Sequence, residues 1–358
     1  MVKRSIILVT PPDRPHSPIK HYELLYNLLR RQGYEIHPFT FANVFRYHNR
    51  AIWHIHWIDL FHQGIIQRTK IRRRSAIISF LRVVYFLAAL TMSKLGGVKI
   101  IWTIHNVSAH DCTGSCFETF VTKILLRSAD KVTALNTHIR NTVSTRYGCR
   151  DISLMRQGLY ERCYTNTITR EQARQYLGLS EKDFVLLFLG SVAEYKGIDI
   201  AIEALALLQD DSIKLLIAGP LDRASSYGAR VARLAEKSEN TVLCERYVPD
   251  DEVQVYFNAA DYTIYPYRSI DNSGPLYLTL AFGVPTIMRN AGGVSEVLNI
   301  NPNVWVPISD LNAHNVALAI EEARRRKVDN SEFEIFKEKL SWGKLEKEIM
   351  ECFEGLQE

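Results

Sequence analysis

The stretch Phe184-Val185-Leu186-Leu187-Phe188-Leu189-Gly190-Ser191-Val192-Ala193-Glu194-Tyr195-Lys196-Gly197 decides the fold. Six apolar residues in a row have the length of a buried strand, and the glycine that follows ends it. Beyond Gly197, apolar residues return with helical spacing from Ile198 to Leu208. The strand-loop-helix unit then repeats. Ile213 to Ala218 reads as a strand, Ala229 to Lys237 as a helix, and Thr241 to Cys244, Tyr262 to Tyr265 and Thr286 to Met288 as further strands. Strands alternating with helices specify a parallel sheet with helices on both faces.

Upstream the same alternation runs once already. Apolar residues 5–10 read as a strand, and Tyr22 to Arg31 as a helix stopped by Gly33. Ala51 to His56, Val98 to Ile104, Ala129 to Leu135 and Ile152 to Met155 are strand-like, and Phe117 to Ser128 is helical. Between the halves, Tyr164 to Leu179 is polar and then helical. The expected fold class is α/β, with two Rossmann-like, doubly wound domains facing across a cleft and ligands at the carboxyl ends of the strands. The expected division is 1–165, 166–340 and a closing helix at 341–358.

A chain of 358 residues exceeds what one core supports, which agrees with two domains. Its 47% hydrophobic and 23% charged residues have globular proportions, and the net charge of +5 suits phosphate-bearing ligands or an anionic surface. Six scattered cysteines form no zinc-type constellation, so reduced thiols and a cytoplasmic location are expected. The first residues lack the long apolar region and small-residue cleavage site of a signal peptide.

Ser75 to Met92 is almost wholly apolar, but Arg82 lies near its middle. A charge there costs about 2.5–3.5 kcal/mol on insertion scales, which argues against a span. Arg68, Lys70, Arg72, Arg73 and Arg74 precede it. A basic run leading into an apolar helix has the composition of an interfacial element, and a core helix with a solvated basic start is the other reading. Peripheral contact with the inner membrane through residues 68–92 is therefore an open expectation. The basic run has no aromatic interleaving, so nucleic acid is not an expected partner.

Chemistry in such folds collects in the loops after strands. The first of these carries Asp13, Arg14 and His16 but no glycine, so it is not a dinucleotide fingerprint. The next, His54-Ile55-His56-Trp57-Ile58-Asp59, sets two histidines on one strand face and offers Trp57 as a stacking platform. With no clear third ligand in sequence, no metal is expected there. The densest polar cluster is His105 to Asp111, where His105, His110 and Asp111 follow a strand. A carboxylate near histidine suits proton abstraction from a hydroxyl and hydrogen bonding to a sugar. In the second half, Gly190, Ser191 and Lys196 precede one helix, and Ser273 and Gly274 begin another. Glycine, free helix-start N–H groups and a lysine together suit a diphosphate.

The ordered series HIHWID (54–59), TIHNVSAHD (103–111), GSVAEYKG (190–197), YVPDDEV (247–253), YPYRSIDNSG (265–274) and AFGVP (281–285) resembles bacterial exopolysaccharide GT-B glycosyltransferases of the GT4-like group. The nearest resemblance is to the inverting xanthan-type β-mannosyltransferases, family GT94. The series covers most of the chain in the right order. The resemblance implies a first domain that binds a saccharide acceptor, probed here by His16, His56, Trp57 and Asp59. It implies a second that binds a nucleotide-diphosphate sugar, and a last helix, after Ser341-Trp342, that crosses back to the first. It further implies GDP-mannose as donor, a polyprenyl-diphosphate-linked saccharide as acceptor, and transfer with no cofactor and no metal. The donor residues it implies are Gly190, Ser191, Tyr195, Lys196, Asn272, Ser273 and Gly274, with Tyr247 and Val248 against the nucleobase and Arg268 nearby. Asp111 or Asp13 is the implied base, with His105 near the donor sugar.

The chain also departs from that pattern. The two glutamates of retaining GT4 enzymes fall at about Ile270 and Leu278, which favours inversion. Where the xanthan-type pattern has glutamates, Asp13, Asp59 and Asp111 stand, with a shorter reach. A retaining transferase using a UDP-sugar, a nucleotide-sugar epimerase and a non-catalytic nucleotide-sugar-binding protein stay open as alternatives.

Overall fold

A computed structural model of the chain describes residues 5–12, 20–58, 72–107, 116–149 and 151–356, without the side chains of residues 72–76 and 116–117. The chain divides into two compact units, Met1–Gln157 together with Trp342–Glu358, and Gly158–Ser341. The division falls after Gln157 rather than at residue 165. Leu159 is fully buried in the second unit's core, and its N–H donates to the Leu340 carbonyl.

The first unit is one parallel sheet of β1 (Ile6–Thr10), β2 (Glu35–Pro38), β3 (Ala51–Ile55), β4 (Lys99–Ile104), β5 (Lys131–Ala134) and β6 (Ser153–Leu154), in the order β2-β1-β3-β4-β5-β6. Successive strand residues face opposite sides. Ile6, Leu8, Ala51, Trp53, Ile55, Ile100, Trp102 and Ile104 fill one core, under the helix Arg72–Leu95. Ile7, Val9, Ile52 and Ile101 fill the other. That second face is covered by the helix Lys20–Arg31, through Tyr22, Leu25 and Leu29, and by the helix Trp342–Glu354, through Leu345, Ile349 and Phe353. The late helix is fastened to this unit by hydrogen bonds from Arg156 and Gln32 to Glu348 and Glu346.

The second unit repeats the plan. Its strands are β7 (Phe184–Leu189), β8 (Ile213–Ala218), β9 (Thr241–Cys244), β10 (Tyr262–Tyr265), β11 (Thr286–Arg289) and β12 (Trp305–Ile308), in the order β12-β11-β10-β7-β8-β9, all parallel. From β7 the chain winds one way to β9, then returns to lay β10 on the other side of β7. Such a reversal leaves a crevice at the carboxyl ends of the two central strands. The loops that open there are Gly190–Gly197 after β7 and Pro266–Ser273 after β10.

Two edge strands, β2 and β12, were not expected from the sequence. Glu35-Ile36-His37-Pro38 has no fully buried residue, and Trp305-Val306-Pro307-Ile308 contains a proline whose missing N–H restricts it to an edge.

Arg174 ties the helix Arg170–Leu177 to the amino end of β7. It is fully buried and donates to the carbonyls of Ala259, Ser180, Glu181 and Asp183, and at 2.8 Å to Asp261. Asp261 in turn accepts the Val185 N–H at 2.7 Å. Removing the guanidinium would leave buried carbonyls short of a donor and take from Asp261 its buried cation, leaving it only Val185 and the more exposed Arg170. Arg174→Met is expected to lower the second unit's unfolding free energy by about 3–5 kcal/mol in urea titrations, and Arg174→Lys to recover only part of it.

Candidate functional site

At the crevice of the second unit, Gly190 leaves β7 with φ of 136°, a region closed to most side chains. A Cβ on Gly190 would lie 3.1 Å from Lys196 Nζ and 3.9 Å from Pro275 Cγ. The structure thus brings three of the expected donor elements together: the glycine turn, the lysine and the start of the helix Gly274–Ala281. Gly197 closes the loop with φ of 68°, and a Cβ on it would overlap the Pro266 carbonyl oxygen. Lys196 lies in a short 3-10 turn, Glu194–Lys196, rather than in the helix that begins at Ile198.

Lys196 is buried, and its Nζ hydrogen-bonds to Ser191 Oγ at 3.2 Å. The rings of Phe188 and Tyr195 both lie 5.8 Å from Nζ, and among the described residues no carboxylate pairs with it. Burial alone lowers its pKa to about 8. A buried cation without a counter-charge is costly, and an arriving anion removes that cost. Ser273, itself buried, caps the helix Gly274–Ala281 by accepting the Leu276 N–H at 3.3 Å. Its oxygen is committed to that role, while the Gly274 N–H, first in the helix, has no intrahelical acceptor.

Of the two helix starts expected to receive phosphate, only this one lacks an acid of its own. The helix Ile198–Leu208 carries Asp199 in its first turn, fully buried. Arg268 Nη2 donates to Asp199 at 2.7 Å and Tyr227 Oη at 2.8 Å. Burial would raise the Asp199 carboxyl, but these hydrogen bonds outweigh it and hold the pKa down. Arg268 also donates to the Glu194 carbonyl at 2.6 Å. It therefore braces one loop against the other instead of standing free for the donor.

Tyr195 is half-buried, and its carbonyl accepts the Arg268 N–H at 2.7 Å. Asn272 is half-buried in the same loop as Ser273. Tyr247 is exposed, as a base-stacking residue requires, whereas the Val248 side chain is buried in the core with Val253 and Tyr256. Only the backbone of Val248 remains for a base. Asp199 and Tyr227 were missed; the signal for Asp199 was an acid in the first helical turn.

In the first unit, strand alternation puts His54, His56, Thr103 and His105 on the face covered by Tyr22 and Tyr26. Tyr26 Oη lies 3.0 Å from His54 Nδ1 and 2.7 Å from His56 Nε2. His56 Nδ1 lies 2.7 Å from His105 Nε2, and His54 Nε2 2.8 Å from Thr103 Oγ1. Trp57 is half-buried, with its ring tilted against His105 at 4.5 Å and against Tyr22 at 5.0 Å, so it is already partnered within the unit. His21, not singled out in the sequence, completes the group with its ring 5.5 Å from His105. Burial drives all these imidazoles neutral, to about 4 for His21, about 3 for His54 and well below the ordinary value for His56 and His105. Asp13, His16, Asp59 and Asp111 lie outside the described residues.

Residues 169–333 match the family of glycosyl transferases group 1. The GDP-mannose:glycolipid 4-beta-D-mannosyltransferase of Xanthomonas campestris pv. campestris is 24% identical over 215 residues, covering 56% of this chain and 53% of that protein. The chain spans about half the length of the curated relatives it matches. Among solved structures, a glycosyltransferase from Rickettsia africae superposes with a TM-score of 0.72 over 99% of this chain and 98% of its own, at 14% identity. HepE of Anabaena, solved with UDP and glucose, gives a TM-score of 0.67 over 98% and 99%, also at 14% identity. The second unit thus resembles the glycosyl transferases group 1 over residues 169–333, and the chain has a GT-B fold of two Rossmann-like domains.

Proposed function

We propose that the chain is a hexosyltransferase that moves mannose from GDP-mannose to a lipid-linked saccharide, carried on polyprenyl diphosphate, in exopolysaccharide or related glycan synthesis. The observation that carries this reading is the meeting of Gly190, Lys196 and the helix start at Gly274 in one crevice. A diphosphate leaving group gathers charge as the glycosidic bond breaks, and a buried lysine without a counter-ion answers it in that transition state. Ser191 orients the lysine, and Arg268 with Asp199 holds its loop. In this reading no metal bridges the diphosphate, because Lys196 and the helix start supply the positive potential.

Transfer proceeds with inversion, as one displacement. Asp111 or Asp13 takes the acceptor proton, and His105 contacts the donor sugar. Tyr195, Asn272 and Ser273 shape the diphosphate pocket, and Tyr247 with the backbone of Val248 borders the base. His16, His56, Trp57 and Asp59 serve the acceptor. Mannose and guanine are favoured by the similarity to a GDP-mannose:glycolipid mannosyltransferase. The second reading, a retaining transferase of a UDP-sugar, is favoured by the similarity to a structure solved with UDP and glucose.

The acceptor's lipid carrier implies a membrane surface, and the helix Arg72–Leu95 suits one. Its Ile77, Phe80, Leu81, Val84 and Tyr85 are exposed at helical spacing, while Val83, Phe86, Ala89 and Leu90 are buried in the first unit's core. By length and composition Ile77–Leu95 could cross a membrane, but a helix with one face committed to a core lies along a surface instead. The exposed stripe, preceded by the basic residues of 68–74, fits an anionic lipid surface at the cytoplasmic face.

A thermal-shift series with GDP, UDP, ADP and dTDP tests the donor. A ligand at a hundred times its Kd adds about 2.7 kcal/mol of stability. GDP alone should do so, and a UDP-only response selects the second reading. Lys196→Met should weaken GDP binding by about tenfold or more, with no loss of stability in the free protein, since the uncompensated cation is gone. Asp111→Asn should cut turnover by about 10²–10⁴-fold with donor affinity kept, and near-normal turnover passes the base role to Asp13. Phe80→Glu with Leu81→Glu should abolish sedimentation with phosphatidylglycerol vesicles while leaving GDP binding intact. Unchanged sedimentation would remove this helix from the membrane reading.

A further inference from the structure

We propose that His21, His56 and His105 form a binding site for a divalent transition ion of the zinc class. The three come from separate elements: the helix Lys20–Arg31, the end of β3 and the end of β4. Each offers a ring nitrogen, and these atoms all lie within 4.8 Å of one another. All three side chains are buried. The sequence suggested only His54 and His56 as a pair. In the structure His54 is not available, because both its nitrogens are held by Tyr26 and Thr103.

A chain of hydrogen bonds orients His56. Thr133 Oγ1 donates to the Trp102 carbonyl, a long bond of 3.5 Å, and so accepts from Thr103 at 2.9 Å. Thr103 then accepts the His54 Nε2 proton, leaving His54 Nδ1 bare to accept from Tyr26. Tyr26 Oη accepts the His56 Nε2 proton at 2.7 Å. His56 Nδ1 is left as a lone pair aimed at His105. Outer partners that fix tautomer and ring direction in this way are characteristic of metal-ligating histidines.

His21 supplies the independent observation. It is only 4% exposed, yet neither ring nitrogen has a hydrogen-bond partner among the described residues. Stranding a buried polar group is costly, and a metal bond to one nitrogen removes half of that burden. Ion binding needs no net loss of protons. His105 moves its proton from Nε2 to Nδ1, and His56 already presents a lone pair. The 2.7 Å contact between His56 and His105 must widen to roughly 3.3 Å for ligands about 2.0–2.1 Å from a tetrahedral ion, a small side-chain rotation. Three neutral imidazoles select Zn²⁺, Co²⁺ or Ni²⁺ over Mg²⁺ and Ca²⁺, which take oxygen ligands. The site belongs to the first unit, whereas the lysine and helix start that serve the diphosphate belong to the second. It stands or falls without the diphosphate assignment, and a bound ion would take His56 and His105 in place of the sugar contacts proposed for them.

The test uses the full chain, stripped with chelator and titrated with ZnCl2 under calorimetry, with zinc-edge X-ray absorption on the loaded wild type. About one zinc per chain is expected, with three imidazole nitrogens at about 2.0–2.1 Å. His21→Gln should weaken zinc binding at least tenfold while melting, metal-free, near the wild type. Wild type that takes up no zinc overturns the proposal. So does absorption showing fewer than three imidazoles, a measurement that needs no variant to fold. Undiminished zinc binding by a folded His21→Gln protein places the ion elsewhere and also overturns it.

Discussion

Gly197 has room for nothing but hydrogen on the side that faces Pro266. This close approach of two backbones fastens the loop after β7 to the loop after β10, where the sheet reverses direction. Lys196 precedes that contact and Asp199 follows it, so the same constraint sets both. Arg268 then spans from Asp199 to the Glu194 carbonyl and locks the arrangement with charge. The result is a buried lysine that no carboxylate pairs with among the described residues. Rigidity matters because dipoles and charges that need not reorganise are those that stabilise a transition state.

The first unit shows a different balance. Its sheet needs two apolar faces, and β1, β3 and β4 provide most of them by alternation. At the carboxyl ends, on the face beneath two helices, alternation delivers histidine and threonine instead of isoleucine and valine. A core would be more stable with apolar residues there. The polar group is retained at the end of the sheet where ligands bind, and it is kept coherent by a hydrogen-bond chain crossing three strands and a helix. Buried networks of this kind are tolerated when nearly every member is satisfied, which makes the two bare nitrogens of His21 informative.

Much of this was legible in the sequence. Central strands of a parallel sheet are buried on both faces, so Phe184 to Leu189 and Ile213 to Ala218 announce themselves as apolar runs. Edge strands are half-solvated, and Pro307 disguised one of them. The loops carrying Gly190, Lys196 and Ser273 could be found because chemistry follows strand ends. Residues defined by tertiary partners could not. Nothing local tells Arg268 that Asp199 and Glu194 are waiting, or turns the Val248 side chain inward. His21 sits in a helix that reads as an ordinary amphipathic element, and only the packing of that helix over β3 and β4 reveals its neighbours.

The helix Trp342–Glu354 covers Tyr22, Leu25 and Leu29 of the first unit, yet it follows the whole of the second unit along the chain. Synthesis at about 5–20 residues per second leaves roughly 10–40 s between completing Gln157 and emitting Trp342. For that interval the first sheet has one apolar face without its late cover, while the second unit emerges with all its strands contiguous. The unit encoded first is therefore the one that finishes last. In a nascent chain of this architecture the early half waits with part of its core uncovered, and the late helix is the clasp that closes it.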